Sequence, residues 1–341
     1  MKRGFVSDNC APVHPRVMEA LGACNALGHV PSYGADDDCA RAREAFAEVF
    51  ERRMPVEFVF NGTGANVLSL ACCLRPYESI VCADCAHINA DETGAPERVL
   101  GSKLQALPSE DGKLTPDQIV PLLLAHGNQH HSQPRVVSIT NVTEWGAVYT
   151  PAEVRRMADF AHANDLLLHM DGARIANAVV AAECTMAEMT WQAGVDVLSF
   201  GGCKNGLMFG EAVLFFNKSL ANAAPYLRKN ITQLHSKMRY IGAQYAALLE
   251  GGLWRRNAED ANAMAARLQE ELRIIPEVEI IHPAEANMLF VRMPQRMANA
   301  VCAAGFGSDM GDVVRMVTAW DTEDEEIEGL IQLLQSMSSA S

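Results

Sequence analysis

A lysine between two apolar segments is the residue of this 341-residue chain that most suggests covalent chemistry. Lys204 lies among small residues in 201–206, and the apolar segments 195–200 and 211–216 flank it. Burial lowers the pKa of an ammonium group, because it disfavours the charged form. Since a neutral amine can attack an aldehyde and form an imine, we predict that Lys204 is a Schiff-base lysine.

Two charged residues follow another apolar segment, 166–170. Asp171 comes directly after it, and Arg174 stands three residues further along. Open α/β sheets bind ligands outside the carboxyl ends of their strands, so both side chains are candidates for a ligand site. An acid at such a position often only caps a helix, whereas a guanidinium is suited to binding a carboxylate. Arg174 is therefore the stronger candidate of the two.

A glycine-rich turn with Gly62, Thr63 and Gly64 follows the apolar segment 56–60. Glycines let the backbone approach an anion, and the amides at a helix amino terminus point toward it. A plain tight turn is an equally good interpretation of this pattern alone. The turn also resembles part of a dinucleotide-binding motif that would use Gly62, Gly64 and Asp84, although its third glycine is missing. A nicotinamide-dependent oxidoreductase is therefore the alternative from a different enzyme class.

Taken together, these residues match pyridoxal 5′-phosphate. This cofactor needs an anion cradle, an acid beside its pyridine nitrogen, a Schiff-base lysine and usually a flat group over its ring. The turn at 62–64, Asp171 and Lys204 supply the first three, and His87 is a candidate for the flat group. The nicotinamide alternative leaves Lys204, Asp171 and Arg174 without a task. We therefore predict a pyridoxal-phosphate enzyme.

The segments around these residues predict an α/β fold. Short apolar runs alternate with amphipathic helical patterns from about residue 40 to residue 216. Continuous apolar strands are typical of a mostly parallel sheet that helices cover on both faces. The predicted strands are 56–60, 79–83, 135–140, 165–170, 195–200 and 211–216, and the predicted helices include 39–52 and 152–164.

The pattern changes beyond residue 248. A helical segment, strand-like runs and a final acidic helix follow one another there, which indicates a small α+β unit. These elements are predicted at 255–272, 278–282, 287–292, 313–318 and 322–337. We therefore predict two domains, an N-terminal arm with a cofactor-binding large domain over 1–250 and a small C-terminal domain over 251–341.

Composition excludes several classes of protein. The chain has 28 Lys and Arg against 42 Asp and Glu, a formal net charge of −14, which disfavours nucleic acid and anionic membranes as partners. Neither a secretory leader nor a membrane span is visible. Ten cysteines are dispersed, and the pair Cys82 and Cys85 lacks a second pair at zinc spacing. We expect reduced thiols, no metal and a cytoplasmic enzyme whose few cations are concentrated in the ligand cleft.

The chain resembles the threonine aldolase/β-eliminating lyase family of pyridoxal-phosphate enzymes of fold type I. The resemblance covers nearly the whole chain and rests on the order and spacing of motifs at residues 7–9, 33–36, 61–66, 87, 92–95, 143–146, 169–174, 199–206 and 315–321. It implies cleavage of L-threonine, L-allo-threonine and related β-hydroxy amino acids such as phenylserine to glycine and an aldehyde. A β-eliminating lyase or an aminotransferase is the alternative within the cofactor class.

The resemblance also implies cofactor contacts. Lys204 would hold the cofactor, Asp171 would pair with its pyridinium nitrogen, His87 would stack on its ring, and Arg174 would lie near its phenolic oxygen. The phosphate would lie at Gly62, Thr63 and Gly64, helped by one of four cations that the sequence does not distinguish, namely Arg228, Lys229, Lys237 and Arg239.

Further residues are implied on the substrate side. Ser7, Arg174 and Arg315 would bind the substrate carboxylate. Tyr33 would reach toward a partner's site, since the family forms homotetramers built as dimers of dimers with sites at the interface. His130 aligns with a second histidine that the family places near the substrate hydroxyl, although its neighbours are typical of a polar loop. A histidine, His87 or His130, is the natural base near neutral pH, and the sequence leaves the choice open.

Overall fold

A seven-stranded sheet forms the centre of the larger part of the molecule. The structure is a computed structural model that describes residues 4–338. The strands of this sheet are β1 (Val56–Val59), β2 (Glu78–Ala83), β3 (Lys103–Leu107), β4 (Gln133–Thr140), β5 (Leu167–Gly172), β6 (Val197–Phe200) and β7 (Glu211–Phe215). Their spatial order is β1-β7-β6-β5-β4-β2-β3.

Most neighbouring strands in this sheet are parallel. β3, β2, β4, β5 and β6 pair in parallel, whereas β7 runs antiparallel to both β6 and β1. Every residue of β5, β6 and β7 is buried, because helices cover both faces. The structure therefore confirms the predicted α/β fold with a mostly parallel sheet.

Helices connect and cover the strands, and local capping marks where several of them begin. Asp36 accepts a hydrogen bond from the backbone of Cys39 at the start of the second helix. Thr150 and Glu153 form a reciprocal capping box at the start of the seventh. The helices of this part are α1 (Pro15–Ala26), α2 (Asp37–Val49), α3 (Gly62–Ala71), α4 (His87–Ala90), α5 (Ala95–Leu100), α6 (Pro116–Ile119), α7 (Pro151–Ala163), α8 (Ile175–Ala181), α9 (Met186–Met189), α10 (Ala224–Asn230) and α11 (Arg239–Leu249).

The large sheet differs from the sequence prediction in its edge strand and in several strand ends. β3 was not predicted, because it is an edge strand that is only partly buried and lacks a continuous apolar run. β5 begins and ends two residues later than predicted, so Asp171 lies inside the strand and pairs in register with Thr140 and Ser199. The backbone pairing continues to Gly172, which faces Phe200 on β6.

A second, antiparallel sheet follows in the chain, with the order β10-β11-β9-β8. Its strands are β8 (Glu279–His282), β9 (Met288–Arg292), β10 (Ser308–Asp309) and β11 (Val314–Val317). The helices α12 (Leu253–Arg273), α13 (Gln295–Ala304) and α14 (Asp324–Ser338) accompany it. Phe5 is fully buried in this second core, and its backbone bonds to Gly305 and Val317. The start of the chain is therefore attached to the C-terminal sheet.

One long helix joins the two cores. Leu253 and Ala258 of α12 belong to the first core, whereas Leu268 and Leu272 belong to the second. Two glycines with positive φ, at 251 and 252, separate α12 from α11 near the predicted boundary. The division into 1–250 and 251–341 stays a prediction, and residues 1–3 and 339–341 of those ranges lie outside the described residues. None of the helices in residues 4–338 is long and apolar enough to cross a membrane.

Candidate active site

A cavity of about 320 Å³ opens at the edge of the large sheet where the parallel strands end. Its volume lies within the range of about 300 to 1,000 Å³ that is common for small-molecule sites. Ends of β4, β5 and β6, the beginning of β7 and the start of α3 contribute to its wall. The sequence-predicted residues that line it are Gly62, Thr63, His87, Asp171, Arg174 and Lys204. The predicted residues Ser7, Tyr33, Gly64, His130 and Arg315 are not part of this lining.

Lys204 lies in a single helical turn, Cys203–Asn205, between β6 and β7. The chain before it packs closely, since a Cβ atom at Gly201 would lie 2.3 Å from the carbonyl oxygen of Ala173. Burial and the neighbouring Arg174 guanidinium lower the pKa of Lys204. The amine is therefore biased toward the neutral, nucleophilic form that the sequence argument requires.

Asp171 is held at the end of β5 by two donors. Its Oδ2 accepts a hydrogen bond of 2.8 Å from Asn66 Nδ2, and its Oδ1 accepts one of 3.0 Å from the backbone of Ala173. The residue is only 5% exposed. These donors fix the carboxylate in a position from which it could pair with a protonated ring nitrogen.

The glycine-rich turn is open toward the cavity at one position and closed at another. A Cβ atom at Gly62 would meet no atom within 4 Å, whereas one at Gly64 would lie 2.4 Å from Cδ of Gln233. Gln233 also accepts a hydrogen bond of 2.9 Å from the backbone of Phe60. Gly62 and Thr63 therefore face the site, and Gly64 instead allows Gln233 to pack over the turn.

None of the four predicted phosphate cations lines this cavity. Arg228 is buried and forms an ion pair of 2.6 Å with Glu57. The Lys229 ammonium lies 6.0 Å from the centroid of the Tyr33 ring. Lys237 and Arg239 line a separate surface groove. Within one chain, none of the four therefore lines the cavity beside Gly62 and Thr63.

His87 begins α4 and is held at two points. Its ring Nδ1 lies 2.8 Å from Oε1 of Glu92, and its backbone N–H donates to Oε1 of Glu144 at 2.6 Å. The hydrogen bond with Glu92 raises the pKa of His87, and the nearby Asp171 acts in the same direction. His87 is therefore an oriented histidine with one edge at the cavity.

His130 lies elsewhere. It is exposed in the loop before β4, where its backbone N–H donates to Oδ1 of Asn128 at 3.0 Å. This loop precedes the amino end of β4, whereas the cavity lies at the carboxyl end. The structure therefore does not bring His130 to the cavity of its own chain.

Arg174 is engaged by a residue that was not predicted as part of the site. Its guanidinium donates to both carboxylate oxygens of Asp8, at 2.7 and 3.0 Å, and Asn287 donates to the same carboxylate at 3.1 Å. Ser7, by contrast, accepts a hydrogen bond from the backbone of Asn9 and caps a short turn. Asp8 belongs to the motif at 7–9, but only the fold reveals that it pairs with Arg174.

Arg315 and Tyr33 occupy different surroundings. Arg315 lies on β11 and is half-buried, and its Nε is buried without a hydrogen-bond partner among residues 4–338. Burial and the charge of Arg174 lower its pKa, while Asp8 acts in the opposite direction, so these three charges are near neighbours. Tyr33 is 51% exposed and lines the groove that contains Lys237 and Arg239.

Two glutamates that were not predicted line the cavity, Glu144, which is partly buried, and Glu211, which is buried. Burial, together with the charge of Asp171, raises the pKa of Glu144 to about 7. Burial likewise raises the pKa of Glu211 to about 7, although its carboxylate accepts the backbone N–H of Gly202. The sequence signals for them are weak, because Glu144 lies in the motif at 143–146 and Glu211 only begins an apolar strand. The site is therefore a mixture of acids and cations, not the concentration of cations that was expected.

All ten cysteines are free thiols. In the part of the chain that the structure describes, no group of three or more His, Cys, Asp or Glu residues is arranged to hold a metal ion.

Comparisons with known proteins agree with the fold. A family model described as Beta-eliminating lyase matches residues 4–295. The low specificity L-threonine aldolase of Pseudomonas sp. (strain NCIMB 10558) is 42% identical over 98% of each chain, and that of Pseudomonas aeruginosa is 41% identical over 96% of this chain and 95% of the relative. A solved threonine aldolase structure from Leishmania major superposes with a TM-score of 0.91 at 29% identity, covering 98% of this chain and 99% of that one. Because these similarities extend over nearly the entire length, the protein is a lyase that belongs to the threonine aldolase/β-eliminating lyase family and has the fold of type I pyridoxal-phosphate enzymes.

Proposed function

We propose that this protein is a pyridoxal-phosphate-dependent aldolase that cleaves L-threonine and L-allo-threonine to glycine and acetaldehyde. Related β-hydroxy amino acids such as phenylserine are further proposed substrates. The observation that carries the proposal is the meeting of Lys204, Asp171 and Arg174 in one cavity. The similarity to low specificity L-threonine aldolases over 98% of the chain supports the same reaction.

The residues at the cavity fit the cofactor. Lys204 would bind its aldehyde carbon, Asp171 would hold the proton on its ring nitrogen, and Gly62 and Thr63 would bind its phosphate. The open space at Gly62 and the hydrogen bond from Asn66 that keeps Asp171 in place support these assignments. When bound, pyridoxal phosphate supplies a ring that accepts the electron pair of the breaking Cα–Cβ bond.

Two guanidinium groups would bind the substrate carboxylate. Arg174 lines the cavity. Arg315 lies close enough to Arg174 and Asp8 for the charges of both to shift its pKa. Planar guanidinium groups match a carboxylate through paired hydrogen bonds. Arg174 is already oriented by Asp8, so the substrate would meet a guanidinium that is held in place before binding.

His87 is the histidine that we propose as the base. It lines the cavity, whereas His130 does not. With Nδ1 directed at Glu92, the ring nitrogen that is left for the cavity is Nε2. Cleavage of the Cα–Cβ bond requires removal of the substrate hydroxyl proton, and Nε2 of His87, directly or through water, would accept it.

The active assembly that we propose is a cytoplasmic homotetramer built from two dimers. Tyr33, Lys237 and Arg239 line a surface groove away from their own chain's cavity, and Tyr33 is half exposed there. A second copy that covers this groove would receive these residues near its own site. None of the four cations predicted for the phosphate lines the cavity of its own chain, which supports a contribution from a second copy.

The nicotinamide alternative has little support. Asp84, which would hold the ribose, is exposed and is not part of the cavity lining. The competing pyridoxal-phosphate reactions, β-elimination and transamination, differ from aldol cleavage in the bond that breaks, so their products separate them.

A product analysis tests the proposal. Protein loaded with pyridoxal phosphate is incubated with L-threonine, and glycine, acetaldehyde, ammonia and 2-oxobutanoate are measured. We expect glycine and acetaldehyde in equal amounts. The matched variant Lys204→Ala should form neither at the same cofactor concentration. Ammonia and 2-oxobutanoate as the main products would show an eliminating lyase instead, and no product at all would refute the proposal.

A further inference from the structure

A chain of hydrogen bonds connects His87 to Asp171 through Glu92 and Asn66. Nδ1 of His87 lies 2.8 Å from Oε1 of Glu92. The same oxygen accepts a hydrogen bond of 2.9 Å from Nδ2 of Asn66, and this amide nitrogen also donates to Oδ2 of Asp171 at 2.8 Å. Asn66 therefore uses both of its amide hydrogens to join two carboxylates.

The linking residues are buried. The side chain of Glu92 is 0% exposed, and Asn66 on α3 is 2% exposed. Oε2 of Glu92 has no hydrogen-bond partner within residues 4–338, so both of its donors act on the same oxygen. A buried carboxylate is costly unless it is hydrogen-bonded, which makes His87 and Asn66 necessary partners of this group.

A carboxylate at one ring nitrogen determines the tautomer of a histidine. Nδ1 of His87 must carry the proton in order to donate to Glu92, and Nε2 is then the acceptor. The His87 side chain is 41% exposed, so the ring is accessible on the side away from Glu92. The arrangement resembles in principle other carboxylate–histidine pairs that present one ring nitrogen to a substrate.

We propose that Glu92 is a positioning residue, which holds His87 in the tautomer whose Nε2 accepts the substrate hydroxyl proton, and that Asn66 couples this pair to Asp171. The inference rests on the proposed aldol cleavage. It adds Asn66 on α3 and Glu92 in the turn before α5. Neither of these residues accepts the substrate proton itself.

The charges around His87 determine how it should titrate. Glu92 contacts its ring, Asp171 on β5 and Lys204 in the turn after β6 act from a distance, and Glu144 contacts only its backbone N–H. Glu92 is the largest of these influences and raises the pKa of His87. Replacing Glu92 by a neutral residue should therefore lower the pKa of His87, and the acidic limb of a reaction that needs neutral His87 should move to lower pH.

The experiment is a titration of the His87 ring by NMR in protein loaded with pyridoxal phosphate, with the signal assigned through His87→Asn. We expect Glu92→Gln to lower the pKa of His87 by about one unit, since a charged contact shifts a pKa by about 1–3 units. The matched control Glu144→Gln, at the other glutamate that contacts His87, should leave this pKa unchanged. In parallel, the acidic limb of kcat/KM for L-threonine should move by the same amount in Glu92→Gln.

A second variant changes Asn66, the other hydrogen-bond donor to Glu92. Asn66→Ala removes one of the two donors to Glu92, which leaves His87 as the remaining donor and should raise the pKa of His87. This variant keeps the inference testable if Glu92→Gln does not fold. Unchanged His87 titration in either folded variant would overturn the inference. If wild-type protein forms no glycine from threonine, the proposed function fails, and the titration separately shows whether the linkage exists.

Discussion

Asp8 and Arg174 form an ion pair in which the carboxylate is fully buried and the guanidinium is nearly so. Breaking a buried pair leaves an uncompensated charge, which typically costs about 3–5 kcal/mol, whereas an exposed pair contributes about 0–1 kcal/mol. We therefore expect Asp8→Asn to lower the free energy of unfolding by about 3 kcal/mol or more.

An exposed ion pair provides a control for Asp8→Asn. Glu279 and Arg292 form an ion pair at the surface, with the Glu279 side chain 66% exposed. Glu279→Gln should change the free energy of unfolding by less than about 1 kcal/mol. Urea unfolding of both variants checks the prediction, and equal effects would show that Asp8 does not hold a buried charge.

The raised pKa of Glu211 predicts that the stability of the fold depends on pH. Its pKa in the folded protein is about 7, against an ordinary value of 4.5. Between these values the folded protein holds a proton that the unfolded chain has lost, so this residue makes stability fall as the pH rises, by up to about 1.4 kcal/mol per unit. Relative to wild type, Glu211→Gln should gain stability steadily from pH 5 to pH 7. Urea unfolding of wild type and Glu211→Gln at each pH measures this difference. Parallel pH profiles of the two free energies of unfolding would contradict the prediction.

Sequence predicts the residues of the site that follow apolar segments. Lys204 and His87 are recognisable because each stands in a local pattern next to an apolar segment. Glu92 and Asp8 act through partners far away in the chain, and their types alone do not distinguish them from other surface or capping acids. Gln233 is a third case, since only the folded chain brings it over Gly64.

At the scale of elements, apolar runs predict the buried strands but not their exact ends. The six predicted strands of the large sheet are all present, whereas the exposed edge strand β3 has no such signal. The position of Asp171 inside β5 depends on pairing with β4 and β6, which is a property of the sheet and not of the segment. Sequence therefore predicts the order of elements better than their register.

The turn before Lys204 is closely packed at Gly201. A Cβ atom at Gly201 would lie 2.3 Å from the backbone oxygen of Ala173, which cannot rotate away. Gly201→Ala should therefore displace the turn that carries Lys204, and overpacking of this kind costs about 1–3 kcal/mol. Gly62→Ala is the matched control for stability, since nothing lies within 4 Å of its Cβ position. Thermal unfolding of the two variants without cofactor distinguishes them, and an equal or smaller loss for Gly201→Ala would contradict this account.

At the scale of the molecule, two cores are joined by α12 and by the start of the chain. Phe5 packs with the C-terminal sheet, and Asp8, three residues later, contacts Arg174, two residues beyond the end of β5, and Asn287 beside β9. The N-terminal segment is therefore a second connection between the two parts. We propose that the predicted division near residue 250 separates two folding cores that share one site.

The proposed assembly is tested by its mass. The chain has a mass of 37.1 kDa, so size-exclusion light scattering should give four times this value for a tetramer.

Tyr33 lies in the surface groove that a second copy would cover. Tyr33→Ala should raise KM for threonine if this residue reaches a partner's site. A monomer with full activity would refute the proposed interface.

We propose that Lys204 carries pyridoxal phosphate in the cavity at the carboxyl edge of the sheet. The most direct measurement treats cofactor-loaded protein with borohydride, digests it and locates the reduced cofactor by peptide mass spectrometry. We predict the modification on the peptide that contains Lys204, together with loss of the yellow colour, and neither colour nor modification in Lys204→Ala. A modification on another lysine, or a colourless wild-type protein after incubation with the cofactor, would contradict the account.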